Sequence, residues 1–241
     1  MHGALITGAS RGFGLAVATR LIADGWSVVV DGRDPDALAT ATRTLETVGA
    51  GRVQAIVGDI ADPVHRQALS LAAAELERLD LVINNASFLG PSPQPRLADY
   101  PLDTLTNVLD VNVVGPLGLL QLTLPRLRES HGVVVNITSD AAVEGYAGWG
   151  GYGASKASLE QLSNVLAAEE PDVRVYWFDP GDMRTAMHQE AFPGEDISDR
   201  PLPETVVPAL LALLQALPPS GRVRAADWAR VAAGDVATVT S

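Results

Sequence analysis

Residues 4–14 read Ala-Leu-Ile-Thr-Gly-Ala-Ser-Arg-Gly-Phe-Gly. A short apolar run feeds directly into a turn carrying Gly8, Gly12 and Gly14, and a helical pattern follows. Without a Cβ, these positions allow a tight turn and a close approach of backbone to a ligand. A helix that starts inside such a turn aims its first N–H groups and its positive end at whatever the turn holds, which favours an anion. The same glycines would also serve a bare strand-to-helix connection. Their place between the first strand and first helix of a βαβ unit makes the turn a dinucleotide signal.

Working outward, short β-branched runs alternate with helix-length segments along the whole chain, the pattern of βαβ units around a parallel sheet. Strands are expected at Ala4–Thr7, Ser27–Asp31, Val53–Val57, Leu81–Asn84, Val133–Thr138 and Val173–Phe178, with a weaker one at Arg222–Ala225. Helices are expected from about Gly12 to Asp24, Asp36 to Val48, Pro63 to Arg78, Leu102 to Glu129, Gly151 to Glu169 and Thr205 to Leu217. Asp34-Pro35 and Asp62-Pro63 each set a capping carboxylate before a first-turn proline, and Gly25 supplies a left-handed end to the first helix. No repeat, low-complexity tract or linker divides residues 1–241, so one domain is expected. The irregular stretches Pro91–Pro95 and Gln189–Pro203 follow strand C-termini, where open α/β sheets bind ligands.

The formal charge of −12 argues against nucleic acid, whose phosphates need a basic face, and against anionic membranes. With no cysteine, disulfides, thiolate nucleophiles and zinc–sulfur sites are excluded. The four histidines, His2, His65, His131 and His188, lack ligand spacing, and no metal is expected. No signal-like leader precedes the first strand, and the apolar run near Leu210 to Leu217 is too short to span a bilayer. A soluble, cytoplasmic protein is the expectation.

Two local patterns carry chemistry. The second strand ends Val30-Asp31-Gly32-Arg33-Asp34. An acid there would bind the ribose hydroxyls of NAD, whereas an arginine suits the 2′-phosphate of NADP, so Asp31 and Arg33 compete. The second pattern is Tyr152 with Lys156. Lys156 is the single lysine among seventeen lysines and arginines. Four residues apart on a helix, phenol and ammonium share a face, and an adjacent cation is expected to lower the phenol pKa from about 10.

With these pieces in view, the chain resembles the short-chain dehydrogenase/reductase family over essentially its whole length. The matching residues are TGASRGFG at 7–14, Asp59-Ile60, Asn84-Asn85-Ala86, Asn112 within VLDVNVVG, Ser139 thirteen before Tyr152, Tyr152-Gly153-Ala154-Ser155-Lys156, and Pro180-Gly181 with Thr185. The resemblance implies a Rossmann-type doubly wound parallel sheet of about seven strands in the order 3-2-1-4-5-6-7. In the family pattern the NAD-selecting acid would occupy the Gly32 position. NADP-preferring members carry arginine at the Arg33 position, and Arg11 is a second such marker, so NADP(H) is expected over NAD(H). Two departures stand out: Ser87 replaces the usual glycine after Asn-Asn-Ala, and the segment Leu166–Val173 is short.

By the same resemblance Tyr152 is the general acid/base of hydride transfer between nicotinamide and a carbonyl or secondary alcohol. Lys156 also holds the nicotinamide ribose, Ser139 orients the substrate oxygen, and Asn112 supports a proton-relay water. Gly8, Ser10, Arg11, Gly12, Phe13, Gly14, Arg33, Asp59, Ile60, Asn85, Ala86, Pro180, Gly181, Met183 and Thr185 should line the cofactor's path, with Tyr152 and Lys156. Ser139, Tyr146, Trp149, Tyr152 and Met187 are the expected substrate residues, near a binding loop at about 183–203. Ser92, Gln94, Asp140, Glu144 and His188 are further wall candidates. A homodimer or homotetramer acting on a small carbonyl or alcohol is implied. Competing readings are a non-catalytic NADP(H)-binding sensor or scaffold, and a dehydratase or isomerase of the same fold.

Overall fold

The computed structural model describes residues 2–234; the two ends of the expected 1–241 domain, residue 1 and residues 235–241, lie outside the described residues. Seven parallel strands form one sheet in the order β3-β2-β1-β4-β5-β6-β7, as expected. They are β1 Gly3–Ile6, β2 Ser27–Gly32, β3 Val53–Val57, β4 Leu81–Asn84, β5 Val133–Ile137, β6 Arg174–Asp179 and β7 Gly221–Arg224. The helices are α1 Gly12–Ala23, α2 Pro35–Val48, α3 Pro63–Ala74, α4 Leu102–Leu109, α5 Gly115–Ser130, α6 Gly150–Glu169, α7 Ala186–Ala191, α8 Pro203–Ala216 and α9 Ala225–Ala232.

The central strands are apolar on both faces because both faces are covered. Val28 and Val30 of β2, Leu81 and Ile83 of β4, and Val133 and Val135 of β5 join a core with Leu21, Leu210 and Trp228. The intervening Val29, Val82 and Val134 pack on the other side with Leu69, Leu119 and Leu127. This alternation fixes which side chains reach the upper rim of the sheet. The capping expectations hold: Asp34 Oδ1 accepts from the Asp36 and Ala37 N–H groups at 3.0 and 3.1 Å. Asp62 Oδ1 accepts from the Val64 N–H at 2.8 Å, and Gly25 has φ of 85°.

Most strand ends differ from expectation by one residue, and three helices differ for identifiable reasons. The third stops at Ala74 instead of Arg78, because the Arg126 guanidinium from α5 takes the Ala74 and Leu76 carbonyls at 2.6 and 2.8 Å. The helix expected over Leu102–Glu129 is broken by one wide π turn, Asp110–Val114, closed by the Gly115 N–H on the Asp110 carbonyl. Pro116 has no N–H with which to serve the Asn112 carbonyl, and that missing bond accompanies the change of register. Helix α9 was not expected; it begins at Ala225, the residue read as the end of the last strand, and buries Trp228. By length and composition the stretch Leu102–Ser130 would suffice to cross a membrane, but half of its apolar window is buried, where α5 packs beside α3.

Candidate active site

At the C-terminal ends of β1 and β4 the glycine turn and the Asn85 loop interlock. Gly8 has φ of 65°, and a Cβ there would stand 2.8 Å from the Ala86 Cα; only glycine fits. Thr7 Oγ1 accepts from the Asn85 and Ala86 N–H groups, each at 3.0 Å. The Asn85 amide donates to the Thr7 and Gly8 carbonyls at 2.9 and 3.0 Å. Helix α1 then starts with Arg11 at its cap position and no side chain capping it, so its first N–H groups face outward, the arrangement that suits a phosphate. Thr185, at the start of α7, stands over Gly12, bringing the β6 loop to the same cleft. Phe13, expected among the cofactor residues, buries its ring in the core against Phe178 at 6.1 Å. Its backbone N–H alone remains at the turn.

The competition between Asp31 and Arg33 is resolved by position. Asp31 is only 2% exposed; its Oδ1 accepts from the Gly8 N–H at 2.5 Å and its Oδ2 pairs with His65 Nε2 at 2.9 Å. Both carboxylate oxygens are therefore committed beneath the turn. A side chain at Gly32 would meet Ser10 Cβ at 2.9 Å, so an acid there is sterically opposed. Arg33 is exposed, and its nearest carboxylate oxygen, Asp59 Oδ2, is 3.9 Å away. Asp59 Oδ1 accepts from the Ala61 N–H at 2.9 Å, and Ile60 is buried. These residues fit a dinucleotide with an extra phosphate on its adenosine ribose.

Tyr152 and Lys156 meet as their spacing requires. Lys156 Nζ lies 5.4 Å from the Tyr152 ring centroid and donates to the Ile137 carbonyl at 2.8 Å. Both side chains are buried, at 8% and 2% exposure. The electrostatics differ from the sequence expectation. Burial pushes the Tyr152 phenol well above its ordinary value; a Ser87 hydrogen bond opposes this, and Asp179 and Asp140 add to it. Burial also pulls Lys156 down to about 8. Desolvation, which penalises either charge, outweighs the attraction between ammonium and phenolate.

Asn112 sits on the π turn, fully buried. Its Oδ1 accepts from the Phe88 N–H at 2.8 Å and from Ser87 Oγ at 3.2 Å. Its Nδ2 donates to the Phe88 carbonyl at 3.0 Å and to Ser155 Oγ at 2.9 Å. Ser155 Oγ in turn donates to the Tyr152 carbonyl at 2.7 Å. The asparagine thus ties the β4 loop to the helix bearing Tyr152. Ser139 is turned toward its own loop: its hydroxyl donates to Asp140 Oδ1 at 2.8 Å and accepts from the Ala141 N–H at 3.2 Å.

Of the expected substrate residues, Trp149 and Met187 pack with Leu89, Ala141 and Ala191 around Tyr152. Trp149 approaches the Tyr152 ring edge-on at 5.8 Å and Phe192 at 5.9 Å. Tyr146 is apart, exposed and bonded to Asp140 Oδ2 at 3.0 Å, while Met183 packs against the sheet core. The stretch expected to be irregular contains the end of α7, whose Glu190 carbonyl accepts from Ser92 Oγ at 2.6 Å. Sequence reasoning missed an ionic clamp at the same rim. Arg222 on β7 reaches Glu160 Oε1, Asp179 Oδ2 and the Ser139 carbonyl at 3.0, 3.0 and 3.2 Å. Asp179 Oδ1 accepts from the Gly181 N–H at 3.0 Å, fixing the Pro180-Gly181 turn. Only Asp179, directly before Pro180-Gly181, could have drawn attention.

Comparison with known proteins agrees with this architecture. The family model described as short chain dehydrogenase matches residues 2–196, and the chain belongs to that family of oxidoreductases. Serine 3-dehydrogenase of Rhizobium radiobacter is 34% identical over 198 residues, covering 78% of this chain and 77% of that protein. Sepiapterin reductase of Mus musculus is 37% identical over 202 residues, covering 78% and 76%. Among solved structures, a short chain dehydrogenase of Shigella flexneri 2a complexed with NADP is 30% identical, with TM-score 0.86 over 92% of this chain and 95% of that one. One from Escherichia coli CFT073 complexed with NADPH is 31% identical, with TM-score 0.86 over 93% and 96%.

Proposed function

We propose that this chain is an NADP(H)-dependent oxidoreductase that interconverts a small carbonyl compound and its secondary alcohol, with Tyr152 as general acid and base. The observation that carries the reading is the buried Lys156 ammonium set against the Tyr152 ring at the rim of a dinucleotide-type sheet. A chain with so few lysines gains nothing structural from a buried charge, which is costly unless used. The bound cofactor supplies or accepts the hydride.

The protein's own residues supply placement and a proton. The open N-terminus of α1 and the turn from Gly8 to Gly14 would hold the diphosphate; Arg33, Arg11 and Ser10 would meet the ribose phosphate. Asp59, Ile60, Asn85, Ala86, Pro180, Gly181, Met183 and Thr185 would complete that wall. Relatives solved with NADP and NADPH support this preference. Lys156 retains donors beyond its Ile137 bond for the nicotinamide ribose hydroxyls. In reduction the Tyr152 O–H passes its proton to the carbonyl oxygen; in oxidation the phenolate takes it back. Ser139 reaches the substrate oxygen by exchanging its Asp140 bond. Trp149, Met187 and the loop at 183–203 cover the substrate, and the residues 1–241 act as one catalytic unit. Exposed Val114, Leu117, Leu122 and Val165 around α5 and α6 support a homodimer or homotetramer.

The test follows NADPH absorbance over a panel of carbonyl compounds. Tyr152→Phe is expected to keep NADPH affinity and lose about 10²- to 10⁴-fold in turnover. Arg33→Ala is expected to weaken NADPH about tenfold to a hundredfold and leave NADH unchanged. Near-normal turnover in the first variant removes Tyr152 from the acid role. Cofactor binding with no turnover across the panel returns the sensor reading.

A further inference from the structure

Residue 87 is where this chain departs from the pattern it resembles: a serine follows Asn85-Ala86 instead of a glycine. The structure gives that added hydroxyl two partners at the reacting centre. Ser87 Oγ donates to Asn112 Oδ1 at 3.2 Å and is hydrogen-bonded to the Tyr152 phenol. Both partners are anchored. Asn112 is fixed by Phe88 on one side and by Ser155 on the other, and Ser155 holds the Tyr152 backbone. The hydroxyl bridges two rigid elements, the π turn and α6.

The charged and polar groups facing Tyr152 come from four directions. Lys156 lies against the ring from its own helix. Asp179 acts from the end of β6, and Asp140 from the turn after β5; both disfavour a phenolate. Ser87, from the loop after β4, contributes in the opposite sense. A hydroxyl has one proton and two lone pairs, so it can donate to only one neighbour at a time. While the phenol is protonated, the Ser87 proton is committed to Asn112 Oδ1. That oxygen also holds the Phe88 N–H, so it remains satisfied if Ser87 turns away.

We propose that Ser87 is a positioning residue for proton transfer, holding the Tyr152 oxygen in place and re-aiming its own O–H from Asn112 to that oxygen when the proton leaves. This inference rests on the acid/base reading of Tyr152. In reduction the Tyr152 O–H bond breaks and an O–H bond forms on the substrate oxygen, as hydride from the nicotinamide reaches the adjacent carbon. Ser87 keeps its proton throughout. A glycine here leaves the oxyanion of Tyr152 one donor short.

The experiment compares Ser87→Ala, Ser87→Gly and Ser87→Thr in the NADP complex. The first measurement is the pH profile of kcat/KM for alcohol oxidation, which requires the phenolate. Loss of a hydrogen bond to a charged oxygen should move the ascending limb upward by about half to one pH unit, a three- to tenfold loss of oxidation below it. NADP affinity should be unchanged, and Ser87→Thr should restore the wild-type limb. The second measurement needs no turnover: ultraviolet titration of tyrosinate, with the Tyr152 transition assigned by its disappearance in Tyr152→Phe. Ser87→Ala should raise that transition by the same amount. Superimposed profiles for the alanine, glycine and wild-type proteins overturn the proposal, as does a threonine variant displaced as far as alanine. If no alcohol is oxidised at all, the parent reading falls. The tyrosinate titration still decides whether Ser87 donates to the Tyr152 oxygen, and an unmoved transition overturns it independently.

Discussion

Replacing Lys156 by methionine separates the cost of the buried ammonium from its use. Burial holds the Lys156 pKa down to about 8, against an ordinary 10.5. At about 1.4 kcal/mol per unit, this corresponds to about 3 kcal/mol of native-state destabilisation while the charge is present. Near pH 7 both folded and unfolded chains carry the proton, and the folded chain bears the whole penalty. Between about pH 8 and 10.5 the folded chain releases it first, so the unfolded chain binds more protons and stability rises with pH. By pH 10 about 2.5 kcal/mol should be regained. Methionine has similar length and no charge, so Lys156→Met should lack this rise. Tyr152, whose raised pKa lowers stability above about pH 10, is present in both proteins. Its displacement comes from burial and carboxylates, so it largely cancels in the comparison. At pH 7 the variant should be about as stable as wild type or more so. The removed penalty offsets the roughly 1–3 kcal/mol of stranding the Ile137 carbonyl. Urea unfolding of both proteins at pH 7 and pH 10 measures the difference directly. Parallel stability curves across that interval would refute the argument, because they would mean the ammonium is not desolvated where the structure puts it.

Two further outcomes follow from the same geometry. Gly32→Asp should weaken NADPH about tenfold or more while gaining little NADH affinity, because Ser10 blocks the new side chain; adding Ser10→Gly should release the NADH gain. Equal NADH binding by the single and double variants would show that Ser10 is not the obstacle. Asn112→Ala strands the Phe88 N–H and carbonyl and frees Ser155, so it should cost about 3 kcal/mol or more of stability. An unchanged urea midpoint would contradict that account.

What could be read from the sequence was what depends on short separations. The turn from Gly8 to Gly14 and the pair Tyr152–Lys156 each lie within one loop or one helical face, so spacing alone places them. The strand order followed from family resemblance and from alternation such as Val28–Val29–Val30, which requires both faces of the sheet to be covered. Contacts between distant segments were not legible. Arg222 and Glu160 are 62 residues apart, Ser87 and Asn112 are 25 apart, and neither pair has a local signature. Asp31 shows a different limit: its type fitted the ribose, but His65 and Gly8 had already taken both its oxygens. The pKa of Tyr152 was misjudged because proximity to a cation is visible in a spacing and desolvation is not.

The π turn at Asp110–Val114 gives the helix around Asn112 one residue more than an α-helical path would hold. Deleting any single residue from that turn would be absorbed locally, by reverting to ordinary winding, and the chain would still fold. Everything N-terminal to the deletion would then rotate by about 100° about the axis. Asn112 would leave its slot with no change in its own identity, so this stretch tolerates exchange of letters far better than a change in their number.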